Sequence, residues 1–203
     1  MKRFLTVLFL MIFAYNIYAD EFLIGKMQCY KVLNNNPDNL CPEEIAISYN
    51  DITYTYTLQR SMYATSFRFI FFPIEIEKLR NSLLKIKDWE IIAKKNGTGV
   101  TKELPNSLIY VDGRMKIYEI DITRSFSLAP AVSIKLNGEE VSTVLVITGT
   151  GGKTKPGEEI FMFEPLVFFS EGINELNNLI SPETLDQAKA KHQQEKKTAE
   201  LFQ

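Results

Sequence analysis

Three short dipeptides, Asn96-Gly97, Asp112-Gly113 and Asn137-Gly138, each fall between runs of apolar or alternating residues. No other feature constrains the fold as much, because Asn-Gly and Asp-Gly readily take the positive φ angles that two-residue hairpins require. Their flanks read as strands: residues 89–95 before the first, 108–111 and 114–122 around the second, 132–136 and 141–148 around the third. The expectation is an antiparallel meander over the second half of the chain.

Upstream, residues 45–49 and 52–58 are strand-like and separated by Asn50-Asp51. In the second of these runs Ile52, Tyr54, Tyr56 and Leu58 fall on one face and Thr53, Thr55 and Thr57 on the other. Residues 66–72 (SFRFIFF) are almost wholly apolar, as a central strand would be, and Pro73 punctuates their end. Ile76, Leu79, Leu83 and Leu84 then recur at helical spacing, with acids early and bases late, which predicts an amphipathic helix near 75–87. A last strand over 159–169 leads into the short helical pattern of Ile173, Leu176 and Leu179. Ser181-Pro182 reads as a capped start for a polar helix running to Gln203. The strand-to-helix junctions at Phe71-Phe72-Pro73 and Phe168-Phe169-Ser170 echo one another, which shared local physics explains without a duplication. The fold class expected is α+β: a mainly antiparallel β-sheet or sandwich of about eight strands, with one packed amphipathic helix and C-terminal helices. The closing polar helix fits an outer-membrane barrel poorly.

Residues 1–19 have the order of a cleavable signal peptide: Lys2-Arg3, the apolar run Phe4–Phe13, and Ala19 before the charges of Asp20 and Glu21. The apolar stretch is shorter than the roughly 20 residues of a spanning helix. A lipid anchor would need a cysteine at the cut, and the first one is Cys29. The expected organisation is a signal peptide over 1–19, one β-rich globular domain over 20–180 and a polar helix or tail over 181–203. Export to the periplasm or the exterior follows as an expectation, with no membrane span left after cleavage. Taking Lys2 and Arg3 from 23 basic residues leaves 21 against 25 acidic ones, a net charge of −4 that speaks for neither nucleic acid nor an anionic membrane as partner.

In an oxidising compartment the only two cysteines, Cys29 and Cys41, are expected to pair, and the Asn-rich run between them would let the chain double back. A metal pair would need more ligands, and the single histidine is His192 in the tail. Neither a metal nor another cofactor is expected.

Candidate chemistry is sparse. The string Thr148-Gly149-Thr150-Gly151-Gly152-Lys153-Thr154 ends like a phosphate-binding loop, but Ile147 stands where the first glycine is required and Pro156 opposes the helix that must follow. It is better read as a hairpin loop, and Thr150, Gly151, Gly152, Lys153 and Thr154 form a candidate partner-contact loop. Glu119 and Asp121 would share a strand face about 6.6 Å apart, usable for two-carboxylate hydrolysis, although alternation with Tyr118, Ile120 and Ile122 makes that face a solvated one. A Ser-His-Asp arrangement would depend on His192, and the tyrosines around Tyr54 read as core rather than as a stacking platform. Asn96 begins a glycosylation sequon that matters only in a host able to use it.

The sequence therefore points to an exported, non-enzymatic protein that binds a protein or envelope-component partner or a ligand. The alternatives are a carboxylate-dependent hydrolase of envelope or extracellular polymers, and a structural envelope component whose tail helix docks elsewhere.

Overall fold

The computed structural model describes residues 20–33, 36, 39–62, 65–104, 109–117, 120–138, 140–151 and 162–201, with backbone alone at 61–62, 65–66, 113–117, 120–124, 150–151 and 162–164. The signal segment expected over 1–19 lies outside these residues. Nine strands and three helices follow in order. They are β1 (Glu21–Val32), β2 (Leu40–Asn50), β3 (Thr55–Met62), β4 (Thr65–Phe71), α1 (Pro73–Asn96), β5 (Val100–Glu103), β6 (Ile109–Ile117), β7 (Ile120–Asn137), β8 (Glu140–Gly151), β9 (Met162–Phe169), α2 (Ser170–Leu179) and α3 (Pro182–Glu200). This is an α+β fold with one large antiparallel sheet.

The sheet closes on itself. Its order is β5-β7-β6-β4-β3-β2-β1-β9-β8, and β8 pairs back to β7. Eight strands thus form a ring, while β5 hangs on the far half of the 18-residue β7. Closure leaves no open edge among these eight strands, and only β5 keeps one. Hairpins fix the polarity: the β1–β2, β3–β4, β6–β7 and β8–β9 connections all leave from one end, whereas the helices gather at the other.

Alternation sorts the side chains. Ile45, Ile47, Leu58, Phe69, Phe126 and Leu145 point inward and are buried, while Lys26, Gln28 and Glu44 are exposed. On this stretch of β1 and β2 the outer face is thus polar, the reverse of a strand that meets lipid there. No helix among the described residues is long and apolar enough to cross a membrane. The inner aromatic group is tight, with Phe67 and Phe126 edge-to-face at 5.4 Å. Helix α1 lays Ile76, Leu79, Leu83 and Ile86 over the barrel mouth, and α2 adds Ile173 and Leu176.

The β1–β9 seam is short, only Tyr30 with Val167 and Lys31 with Leu166. Pro165 has no N–H to extend the ladder one way, and in the other the chain turns into α2 after Phe169. The helix then covers the rest of the β1 edge. Gly25 lies at a register shift in β1, where a Cβ would stand 2.6 Å from Leu179 Cδ2. The echo between the two strand–helix junctions is real in local geometry. Phe72 and Phe169 are both extended N-caps, each preceded by a buried Phe and followed by a buried apolar pair.

Several expected elements differ. Residues 89–95 are the last turns of α1, not a strand. Ile86 and Ala93 continue its buried stripe, Lys102 Nζ sits 4.0 Å from the Trp89 ring centroid, and Gly97 at φ 64° closes the helix instead of a hairpin. Asp112-Gly113 lies within β6, with Gly113 opposite Phe69 in the ladder and not at a turn. Asn137-Gly138 is the hairpin turn expected, with Gly138 at φ 65°. Ser181 caps α3 as expected, its Oγ accepting from Thr184 N at 3.2 Å.

Candidate functional site

The segment read as a strand from Ile52 is a turn as far as Tyr54, and what holds it there matters. Asn50 Oδ1 accepts from Ile52 N at 3.0 Å and Thr53 N at 2.9 Å. This side-chain turn replaces the ladder bonds a strand would have made. Thr53 and Thr55 join hydroxyls at 2.7 Å. Tyr54 then takes φ 56° and is 61% exposed. For a bulky residue the left-handed region costs on the order of 1–2 kcal/mol. Strand alternation begins only after it, with Tyr56 and Leu58 inward.

Beside this turn lies a cleft of about 410 Å³ at the helix end of the barrel. Tyr49, Tyr54 and Tyr56 line the barrel side. Helix α1 contributes Ile76, Glu77 and Arg80, and α3 contributes Pro182, Leu185 and Asp186. Tyr49 and Tyr56 meet edge-to-face at 5.0 Å. Arg80 is anchored on two sides: its Nε donates to the Ile180 carbonyl and its Nη2 to the Tyr56 hydroxyl at 2.8 Å. Its Cζ lies 5.5 Å from the Tyr56 ring centroid.

Burial raises the Tyr56 hydroxyl above its ordinary pKa, and Arg80 opposes that rise. Lys189 reaches Asp51 at 3.0 Å and lies 4.8 Å from the Tyr49 ring centroid. Burial works against its charge, but hydrogen bonds to Asp51 and Tyr49 outweigh that and hold its pKa above the ordinary value. Glu77 and Asp186 form no ion pair among the described residues, and neither pairs with Arg80 in the same cleft. Two exposed carboxylates and a half-buried, half-anchored guanidinium beside one aromatic wall are the few polar groups that ligand sites set among apolar ones.

A second polar group lies inside the barrel, toward the hairpin end. Arg60 and Glu43 form a buried pair, Nη2 to Oε2 at 2.6 Å and Nε to both oxygens at 3.1 Å. Their side chains are 2% and 5% exposed. Cys29, opposite Glu43 in the ladder, is also buried. Desolvation, with Glu43 adding to it, pushes its thiol up to about 12. Such a thiol is an inert one. On the outer wall, a groove of about 460 Å³ is lined by Val32, Leu40, Val144, Val146, Val167 and Phe169 beside Pro165, and offers no group that would orient a ligand.

The expected Cys29–Cys41 disulfide does not form, and both thiols are free. The Asn-rich run does turn the chain back, but the hairpin is centred on Asn36. Cys29 therefore faces Glu43, and Cys41 faces Lys31. Diagonal positions are roughly 7–8 Å apart, beyond the usual disulfide span of about 4.4–6.8 Å. A centre one residue earlier would have set them opposite.

Of the other sequence-derived candidates, Asp121 lies on β7 with its backbone opposite Lys116, and Glu119 falls outside the described residues. Thr150 and Gly151 end β8 opposite Ser127 and Phe126, while Gly152, Lys153 and Thr154 fall outside. These strand ends lie at the hairpin end, away from the tyrosine cleft. Among the described residues no three His, Cys, Asp or Glu side chains gather as a metal site. Sequence reading missed the cleft because its three walls come from residues far apart in the chain. The one local signal was Asn50-Asp51 interrupting a tyrosine-rich alternation.

Comparison with known protein families, curated proteins and solved structures finds no match to this chain.

Proposed function

We propose that the chain is an exported, non-enzymatic binding protein, working in the periplasm or outside the cell, and that its binding site is the tyrosine cleft. The observation that carries this reading is Tyr54: a bulky residue held at φ 56°, 61% exposed, on the rim of a cleft. Backbone strain of this kind clusters at functional sites, where surrounding bonds over-determine it. Here those bonds are the Asn50 turn and the Thr53–Thr55 hydroxyl pair. The export part of the reading rests on the signal pattern of residues 1–19 and Ala19.

Exposed apolar residues flank the cleft's lining residues in sequence. Ile52 belongs to the same turn as Tyr54, and Phe72 and Ile74 bracket Pro73 at the start of α1. The cleft itself is lined mostly by aromatic and apolar residues with a few polar groups, the composition that ligand sites use.

The test is capture of binders from the native envelope fraction on immobilised full chain, with Tyr54→Ala in parallel. Binders retained by the wild type should be lost with Tyr54→Ala. Equal retention by both would move the site elsewhere on the molecule.

A further inference from the structure

Resting on the cleft as the binding site, we infer that its ligand is a small zwitterion, an amino acid or short peptide whose carboxylate meets Arg80 and whose ammonium meets Glu77 and Asp186. Arg80 is the starting point. Of its five N–H groups one is used by the Ile180 carbonyl and one by the Tyr56 hydroxyl. Both bonds fix the guanidinium plane without neutralising its charge, because a carbonyl and a phenol are neutral acceptors. The unused N–H groups sit at the Nη end, the geometry that receives a carboxylate in a fork. Glu77 is only three residues away on the same helix and Asp186 lines the same cleft, yet neither pairs with Arg80. Glu77 and Asp186 are exposed and Arg80 is half-buried, so a ligand carrying both signs can meet each without breaking an existing ion pair.

The remaining surfaces fit the body of such a ligand. Tyr49 and Tyr56 are already capped by Lys189 and Arg80 respectively, so a ligand ammonium has carboxylates rather than their ring faces to go to. Tyr54, exposed on the rim, is free to stack on an aromatic or aliphatic side chain. Pro73, Ile76, Pro182 and Leu185 supply apolar contact. A volume of about 410 Å³ is at the lower end of ligand sites and suits a molecule of one to three residues.

Calorimetric titration of the purified full chain with the tripeptide Leu-Tyr-Leu tests this, alongside its N-acetylated form, its C-amidated form and free tyrosine. The expected result is binding of the free-ended tripeptide, weakened at least tenfold by C-amidation and about threefold or more by N-acetylation. Free tyrosine binding as well as the tripeptide would place the source in free amino acids, and tighter tripeptide binding would place it in short peptides; both support the inference. Because Arg80 also anchors Ile180, the protein-side variants are Glu77→Gln and Asp186→Asn, which remove charge without touching that anchor. They should weaken the free-ended peptide and leave the N-acetylated one unchanged. Binding indifferent to both caps would overturn the inference while leaving the cleft as a site. No binding of any of these probes, with Tyr54-dependent capture of envelope binders intact, would overturn it too. Loss of that capture dependence would instead overturn the parent reading.

Discussion

Arg80 on α1 donates to the Tyr56 hydroxyl on β3 at 2.8 Å and to the backbone carbonyl of Ile180, between α2 and α3. One side chain thereby ties the first helix, the barrel and the helical C-terminal region around a single cleft. The proposed ligand site and the packing of the helix end share this residue.

Tyr56 should titrate above an ordinary tyrosine, because burial disfavours the phenolate and Arg80 only partly offsets that. Arg80→Met should raise it further. The folded state holds this proton more tightly than the unfolded one, so the stability Tyr56 contributes is complete below the ordinary tyrosine pKa and is lost as pH rises beyond it. Tyrosinate absorbance of wild type minus Tyr56→Phe, followed against pH, measures both effects. A difference curve centred at or below the ordinary value would contradict them.

Glu43 and Arg60 should be costly to separate and cheap to replace together. Glu43→Ala leaves the Arg60 charge buried without its carboxylate, a change typically worth about 3–5 kcal/mol. The double variant Glu43→Leu, Arg60→Met should recover most of that loss, because it removes both desolvation penalties. Urea unfolding of the three chains decides the matter.

The two thiols should differ in reach. In native protein a thiol reagent should modify Cys41, which is half-buried, and spare Cys29, and denatured unreduced protein should give two free thiols. Since the Cys29 pKa rises from 9.0 to about 12 on folding, stability should fall as pH climbs through that window. Cys29→Ala should flatten the decline.

The tail helix should behave as part of the barrel. His192 stacks on Phe22 at 4.7 Å between centroids, Lys196 meets Asp20, Lys189 meets Asp51, and Leu185 packs on the core. Docking on its own β1 counts against the idea that this helix is held free for another component. Truncation at Ser181 should destabilise the chain by about 2 kcal/mol, the scale of one exposed large apolar side chain. It should also abolish cleft binding, since Pro182, Leu185 and Asp186 leave with it.

Legibility in the sequence followed the range of the interactions. The β7–β8 turn at Asn137-Gly138, the strand ending before Pro73 and the Ser181 cap are decided within a few residues, and their signals were sufficient. Asp112-Gly113 misled because the chain pairs straight through it as one strand, with Asp112 opposite Ile70 and Gly113 opposite Phe69. Trp89 to Lys95 misled because Ile91 and Ile92 look strand-like, yet both are exposed and the helix is held by Ile86 and Ala93. Barrel closure rests on β8 pairing with both β7 and β9, a long-range outcome with no local mark. The cleft is the extreme case, since Tyr54, Arg80 and Asp186 come together only once closure and helix docking are complete.

Whether Tyr54 is held under strain for binding is decided by Tyr54→Gly, with unfolding free energy and envelope capture measured on the same preparation. Glycine takes φ 56° without the Cβ penalty, though it loses more chain entropy on folding. Stability should be unchanged or raised by up to about 1 kcal/mol, with capture lost. Stability lowered by 2 kcal/mol or more, or capture retained in full, would contradict it.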